Sequence, residues 1–291
     1  MFIKIKDLKV HYQVSGAGEN LVLVHGWGCN ISHYARLQKH LAKKFCVYAI
    51  DLPGFGLRSE PEEVWNAAIY ADFVANFIRT MKIENPVLVG HSLGGKISAN
   101  LAARHLVPVN KLVLISSAGI KPARSLKTRL RIYAYKTCKM IARLPLLKIF
   151  LEPKLDAYRM KAGSTDYRNS SGIMRAILVR IVNEDIRKVL PQIEAPTLLI
   201  WGEKDTSAPL AGGKLMHELI YNSELRIIPG CGHFPHLDNH AFVANIMDKF
   251  LINAYDQDHK EFDEDFSAEV VEEAIVAKAS ELEKENNKSG V

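Results

Sequence analysis

Residues 87–98 read "VLVGHSLGGKIS": an aliphatic and β-branched run that ends in glycine, then a single serine at position 92, then paired glycines. The spacing is G-x-S-x-G, with a strand-like run before it and the helix-like pattern "GGKISANLAARH" over 94–105. Small residues two before and two after the serine are what a sharp strand-to-helix turn requires, because the chain folds back there with no room for side chains. Such a turn lifts the Ser92 hydroxyl clear of the sheet. It also sets the Leu93 N–H at a helix N-terminus, facing any oxyanion that develops nearby. Serine between glycines is equally an ordinary turn residue, so the role of Ser92 depends on the rest of the chain.

Similar apolar runs bounded by Gly, Pro, Asp or Asn recur at 21–26, 46–51, 86–91, 111–116, 197–202 and 225–230. Helical patterns at 33–44, 67–81 and 94–105 lie between several of them. Continuous apolar strands alternating with helices predict an α/β layered domain around a mainly parallel sheet. The opening "MFIKIKDLKVHYQV" alternates apolar and polar residues and reads as a strand rather than a signal peptide. The alternation fails between Ile120 and about Asn183. There Leu126, Leu130, Tyr133, Met140, Ile141 and Leu144 recur at helical spacing until Pro145 interrupts them. The expected layout is a core over 1–120, a helical insertion over 121–183, a resumed core over 184–255 whose last helix spans 240–255, and a mobile or partly helical acidic tail over 256–291.

A chain of 291 residues, 48% hydrophobic and 24% charged, has ordinary globular proportions. Its four cysteines form no CxxC pair and no zinc-ligand spacing, which points to a reduced, cytoplasmic setting. Lysines and arginines interrupt the most apolar part of the middle region, residues 132–151, so no transmembrane segment is expected. The net charge of +6 is unevenly spread. Residues 121–161 carry 12 basic side chains against 2 acidic ones, and residues 256–291 carry 12 acidic against 4 basic. These are local features, and a nucleic-acid partner does not follow from them.

A serine hydroxyl is a weak nucleophile without a base, and the base needs a third group to hold its tautomer. In this topology the order is Ser, then Asp or Glu, then His. "LLIWGEKDTSAP" supplies Asp205 just beyond one predicted strand, and "IIPGCGHFPHLDN" supplies His233 just beyond the next. Both fall at carboxyl ends of strands, where open α/β sheets place their sites. Glu203 comes too soon after its strand to compete, and Asp238 looks like a cap for the following helix. His233, His236 and His240 match no zinc pattern, and no cofactor is expected. The loop "LVLVHGWGCN" is expected to supply the second oxyanion donor through the Trp27 N–H, with its ring either lining the pocket or packing.

Together "HGWG" (25–28), "DLPGFG" (51–56), "GHSLGG" (90–95), "LLIWGEKD" (198–205) and "GCGHFPHLD" (230–238) resemble the capped α/β-hydrolases. The likeness runs over residues 1 to about 255. It implies an eight-stranded, mostly parallel sheet with a helical cap after the sixth strand. Ser92, Asp205 and His233 would be the triad, and the Trp27 and Leu93 N–H groups the oxyanion hole. One departure is that "DLPGFGLRS" holds one more residue before Ser59 than the D-x-x-G-x-G-x-S common in relatives. The serine nucleophile argues against the aspartate-dependent branches, and hydrolysis of a small-molecule carboxylic ester is the leading expectation. Thioesters and lipids remain open, as does carbon–carbon hydrolysis of ring-cleavage products, whose enzymes usually carry asparagine where His91 stands. "HGWGCN" with "DLPGFG" is also similar to the pimeloyl-carrier-protein methyl ester esterases, which suggests an acidic carrier protein at the basic insertion. An anionic lipid surface or substrate, and a solvated face paired with the acidic tail, are the other readings of that charge. A ligand receptor or scaffold on the same fold is the non-enzyme alternative.

Overall fold

The computed structural model describes residues 1–56, 60–121 and 164–252, with scattered positions between 130 and 158. The chain divides into two compact units, Met1–His240 and Ala241–Val291.

The first unit is organised by one eight-stranded sheet. Its strands are β1 (Phe2–Ile5), β2 (Leu8–Ser15), β3 (Glu19–Val24), β4 (Phe45–Ile50), β5 (Val87–His91), β6 (Leu112–Ile115), β7 (Thr197–Gly202) and β8 (Ser223–Ile228). They lie in the order β1-β2-β4-β3-β5-β6-β7-β8. The β1/β2 and β2/β4 pairs are antiparallel, and every other pair is parallel. The N-terminal stretch expected as one strand is therefore two. The turn Lys6–Asp7, with Lys6 at φ 51°, folds it into a hairpin in which Ile5 faces Leu8.

Strands β5, β6 and β7 are buried along their whole length, as continuous apolar runs covered on both faces should be. Edge strand β8 is only half-buried and starts at Ser223, because Thr197 of β7 pairs with it there. The run expected at 21–26 ends earlier, at Val24: His25 and Gly26 leave the ladder to begin a loop.

Between the strands lie α1 (Ala35–Leu41), α2 (Ala67–Thr80) and α3 (Leu93–Ala103). A 3₁₀ turn at Ile31–Tyr34, capped by the Asn30 side chain, leads into α1. Asn66 caps α2 by accepting the Ile69 N–H at 2.8 Å. Helix α3 is buried on every face and packs on α2, β5 and β6. Each of its buried leucine and isoleucine side chains contributes ~1.5–3 kcal/mol relative to exposure.

Between β6 and β7 the described residues include α4 (Thr165–Asn169) and α5 (Gly172–Val182). The described positions between 130 and 158 are all helical, and Leu130, Tyr133 and Met140 are exposed. The other residues of the expected apolar stripe, Leu126, Ile141 and Leu144, lie outside the described residues, as does Ser59. A short α6 (Leu210–Leu219) joins β7 to β8, and α7 (Pro235–Asp238) follows β8.

The helix expected over 240–255 is present as α8, His240–Ile252. In the second unit the described residues are the 241–252 portion of this helix, and the acidic tail over 256–291 lies outside them. No helix among the described residues is long and apolar enough to cross a membrane.

Candidate active site

The sheet delivers Ser92 between the last residue of β5 and the first of α3. Its backbone sits at φ 51°, ψ −111°, a conformation that L-residues rarely adopt. Surrounding hydrogen bonds hold it there: the Ser92 N–H donates to Ile115 O at 3.0 Å, and its carbonyl accepts from Lys96 N at 3.1 Å and Ala118 N at 3.0 Å. The flanking glycines are required sterically. A Cβ on Gly90 would lie 2.4 Å from Gly94 O, and one on Gly94 would lie 1.9 Å from Val24 O.

His233 and Asp205 arrive from the carboxyl ends of β8 and β7. The Ser92 Oγ lies 3.0 Å from His233 Nε2, and His233 Nδ1 lies 2.8 Å from Asp205 Oδ2. A carboxylate only accepts, so the proton is on Nδ1, and Nε2 is left to accept from the serine hydroxyl. The other carboxylate oxygen, Oδ1, accepts the Ser207 and Ala208 N–H groups, both at 2.9 Å. Burial works to raise the Asp205 pKa. The His233 bond, the Ala208 N–H and the His233 charge outweigh it and hold the carboxyl below its ordinary range. The structure thus brings the three sequence-predicted side chains into one hydrogen-bonded chain.

The Trp27 loop is set by a residue that the sequence reading passed over. His25 is buried, and its Nε2 accepts the Leu52 N–H at 2.9 Å, so its proton is on Nδ1. That Nδ1–H donates to Gly26 O at 2.7 Å, and the Cys29 N–H reaches the same carbonyl at 3.2 Å. A trans peptide is planar, so fixing the Gly26 carbonyl fixes the Trp27 N–H in the opposite direction. Burial keeps His25 neutral, lowering its pKa to about 4 despite the Gly26 bond and the nearby Asp51 carboxylate. The loop lies against Ser92, since a Cβ on Gly26 would come 3.2 Å from the Ser92 Cβ. The Leu93 N–H begins α3, where first-turn N–H groups have no carbonyl within the helix to bind.

The Trp27 ring both packs and lines: it meets Phe55 edge-on at 4.8 Å and borders a cavity of about 490 Å³. Among the described residues Gly28, Glu60, Asp166, Met174 and Phe234 share that lining. Desolvation raises the Asp166 pKa, partly offset by His233.

Two acidic residues weighed in the sequence turn out to brace the loop that carries His233. Glu203 accepts the Gly230 N–H at 2.9 Å, and Asp238 accepts the Gly232 N–H at 3.0 Å. Asp238 was expected to cap the next helix; its Oδ2 reaches back to the loop that precedes it. Lys96 went unremarked because lysines seldom lie inside a buried helix. Its ammonium donates to Ile181 O at 2.6 Å and Glu184 O at 2.9 Å, and lies 3.8 Å from the Glu184 carboxylate. It ties α3, the helix that follows Ser92, to the end of α5. Glu184 Oε2 also accepts the Ala67 N–H at the start of α2, at 3.0 Å.

Among the described residues no group of three or more His, Cys, Asp or Glu side chains is arranged to hold a metal ion. His236 is buried, with its Nδ1 unpartnered and its pKa lowered to about 3, by burial first and then by neighbouring histidines.

Comparison with known proteins agrees with this architecture. The 2-hydroxymuconate semialdehyde hydrolase of Pseudomonas sp. strain CF600 is 27% identical over 262 residues, covering 85% of this chain and 92% of its own. The pimeloyl-[acyl-carrier protein] methyl ester esterase of Vibrio atlanticus is 28% identical, covering 82% of this chain and 96% of its own. Among solved structures, a membrane phospholipase A described as a bacterial virulence factor is 27% identical with a TM-score of 0.67, covering 87% of this chain and 85% of that one. The sequence model for the alpha/beta hydrolase fold matches residues 19–240, most of the chain, and the protein belongs to that family.

Proposed function

We propose that this hydrolase cleaves a carboxylic ester through a Ser92–His233–Asp205 triad and an acyl-enzyme intermediate. The observation that carries this reading is the unbroken chain of two hydrogen bonds, 3.0 and 2.8 Å, from Ser92 Oγ through His233 to Asp205. Ser92 Oγ attacks the ester carbonyl carbon while His233 Nε2 takes its proton. Asp205 stabilises the resulting imidazolium, and the Trp27 and Leu93 N–H groups receive the oxyanion. Collapse breaks the acyl–oxygen bond, and His233 returns the proton to the departing alcohol. Water then attacks the Ser92 ester with His233 again as base, releasing the acid and restoring the serine. No step requires a cofactor.

In this reading residues 121–183 form a helical cap between β6 and β7, and the 490 Å³ cavity beside Trp27 receives part of the substrate. A small-molecule ester is the substrate class. An acidic carrier protein at the basic residues of 121–161 is a further partner, suggested by the likeness to the carrier-protein esterase. The four cysteines, with no CxxC pair among them, fit a reduced, cytoplasmic setting. Carbon–carbon hydrolysis is the second reading, favoured by the likeness to the semialdehyde hydrolase.

A fluorophosphonate probe tests the nucleophile: the wild type labels and Ser92→Ala does not. An unlabelled wild type overturns the proposal. Turnover across p-nitrophenyl esters, thioesters and a ring-cleavage product then separates the substrate classes, and a preference for the last replaces the ester reading with the second one.

A further inference from the structure

We propose that His91 is a positioning residue of this site, its imidazole acting as the strut that spaces the nucleophile turn, the oxyanion loop and the loop of the base. The inference rests on the triad reading, because it concerns what holds His233 over Ser92.

His91 is the last residue of β5, directly before Ser92, and is 2% exposed. Its Nε2 lies 2.8 Å from the main-chain oxygen of His233. A carbonyl only accepts, so Nε2 carries the proton and donates. The bond reaches the backbone of the base rather than its ring, and so fixes where the His233 main chain stands relative to the nucleophile. The opposite edge of the ring fills the space beside Gly26: a Cβ there would lie 2.8 Å from His91 Nδ1. Gly26 carries the carbonyl end of the peptide whose N–H is the Trp27 donor. Around it the rings of Phe234, His233 and His236 pack at tilted angles, with centroids at 4.7, 4.9 and 4.9 Å. A ring bonded at one nitrogen, packed against Gly26 at the other and surrounded by three more rings is held in place.

The loop from β8 to α7 needs such an anchor. It spans residues 229–234 and contains Gly230 at φ 69° and Gly232, whose freedom would let the base wander. Glu203 and Asp238 brace those two glycines, and His91 supplies the link that runs straight to the residue beside Ser92. The strut also stays constant through turnover. Burial, followed by the nearby His236 and His233, pushes the His91 proton affinity well below that of an ordinary histidine. The ring therefore remains neutral, with its Nε2–H in place, while His233 gains and loses a proton.

The test uses the full chain with p-nitrophenyl butyrate. His91→Phe keeps the ring and its contacts but removes the donor, whereas His91→Gln can again present an amide N–H to the His233 carbonyl. A base displaced by a fraction of an ångström to 1 Å lowers kcat ~10–100-fold. The expected pattern is that loss in His91→Phe, with KM within about twofold and the unfolding temperature within about 3 °C of wild type. His91→Gln should recover most of kcat. Long-range proton–nitrogen spectra should show His91 as the Nε2–H tautomer at neutral pH. Wild-type kcat in His91→Phe, a loss that tracks the unfolded fraction and is not recovered by Gln, or an Nδ1–H tautomer overturns the proposal. Ser92→Ala run alongside separates the two failures. A wild type no faster than Ser92→Ala defeats the triad reading and this inference with it, whereas a dead Ser92→Ala beside a fully active His91→Phe defeats the strut alone.

Discussion

Replacing Asp205 by asparagine changes one atom and should reverse the protonation of the base. In the native site Asp205 Oδ1 accepts two N–H groups, from Ser207 and Ala208, each at 2.9 Å. An asparagine must point its oxygen at those donors, because its NH2 group there would set donor against donor. Its NH2 then faces His233 Nδ1 at the 2.8 Å position. An imidazole nitrogen facing a donor must be unprotonated, so the His233 proton moves to Nε2, where it blocks the proton of Ser92. The variant loses a charge-assisted bond worth ~1.5–3 kcal/mol and also pays to restore the working tautomer. Together these amount to about 5 kcal/mol, or ~10⁴ in kcat at 1.4 kcal/mol per decade. The assay is steady-state hydrolysis of p-nitrophenyl butyrate, with the unfolding temperature as a control for structure. A folded Asp205→Asn enzyme within tenfold of wild type would refute the proposed role of Asp205 and the tautomer argument with it.

The buried histidines make stability fall as pH drops. The unfolded His236 side chain takes a proton near pH 6.5, while the folded one, held by burial and by neighbouring His33, His233 and His240, resists until about pH 3. Stability present above pH 6.5 is therefore lost on acidification, by about 2 kcal/mol at pH 5 for this group. Urea unfolding of wild type and His236→Phe at pH 7.5 and 5 should show the variant losing less, and parallel losses would refute the claim. Gly94→Ala drives a Cβ to 1.9 Å from Val24 O, a backbone contact with nothing flexible to yield, and should cost more than about 3 kcal/mol. A denaturation midpoint equal to wild type would contradict this. Lys96→Met leaves the Ile181 and Glu184 carbonyls without their donor and should cost about 3 kcal/mol, read from the same transitions. An unchanged midpoint would show that Lys96 is not needed to tie α3 to α5.

What could be read in the sequence were the features encoded by local chemistry. The apolar runs marked β5 to β7 because parallel strands covered on both faces cannot carry an alternating polar pattern. Ser92 was legible because its flanking glycines answer a local steric demand, and Asp205 and His233 because each follows directly on a strand. The N-terminal hairpin was missed since Lys6 and Asp7 form a tight turn without a glycine or proline to announce it. His25, His91 and Lys96 were missed for a different reason. Their partners are the main-chain atoms of Leu52, His233 and Ile181, far off in sequence, and a carbonyl or N–H leaves no residue type to search for. The glycine at 26 is a partial clue to His91, because the imidazole occupies the space a side chain there would need.

The strained turn at Ser92 has a consequence for anyone who evolves this enzyme. At φ 51°, ψ −111° a side chain is penalised by ~1–3 kcal/mol, whereas glycine occupies that region with little strain. Selection for heat resistance or expression alone would therefore favour glycine at 92 and enrich folded protein without the proposed nucleophile. Retaining the serine requires that turnover be scored in every round.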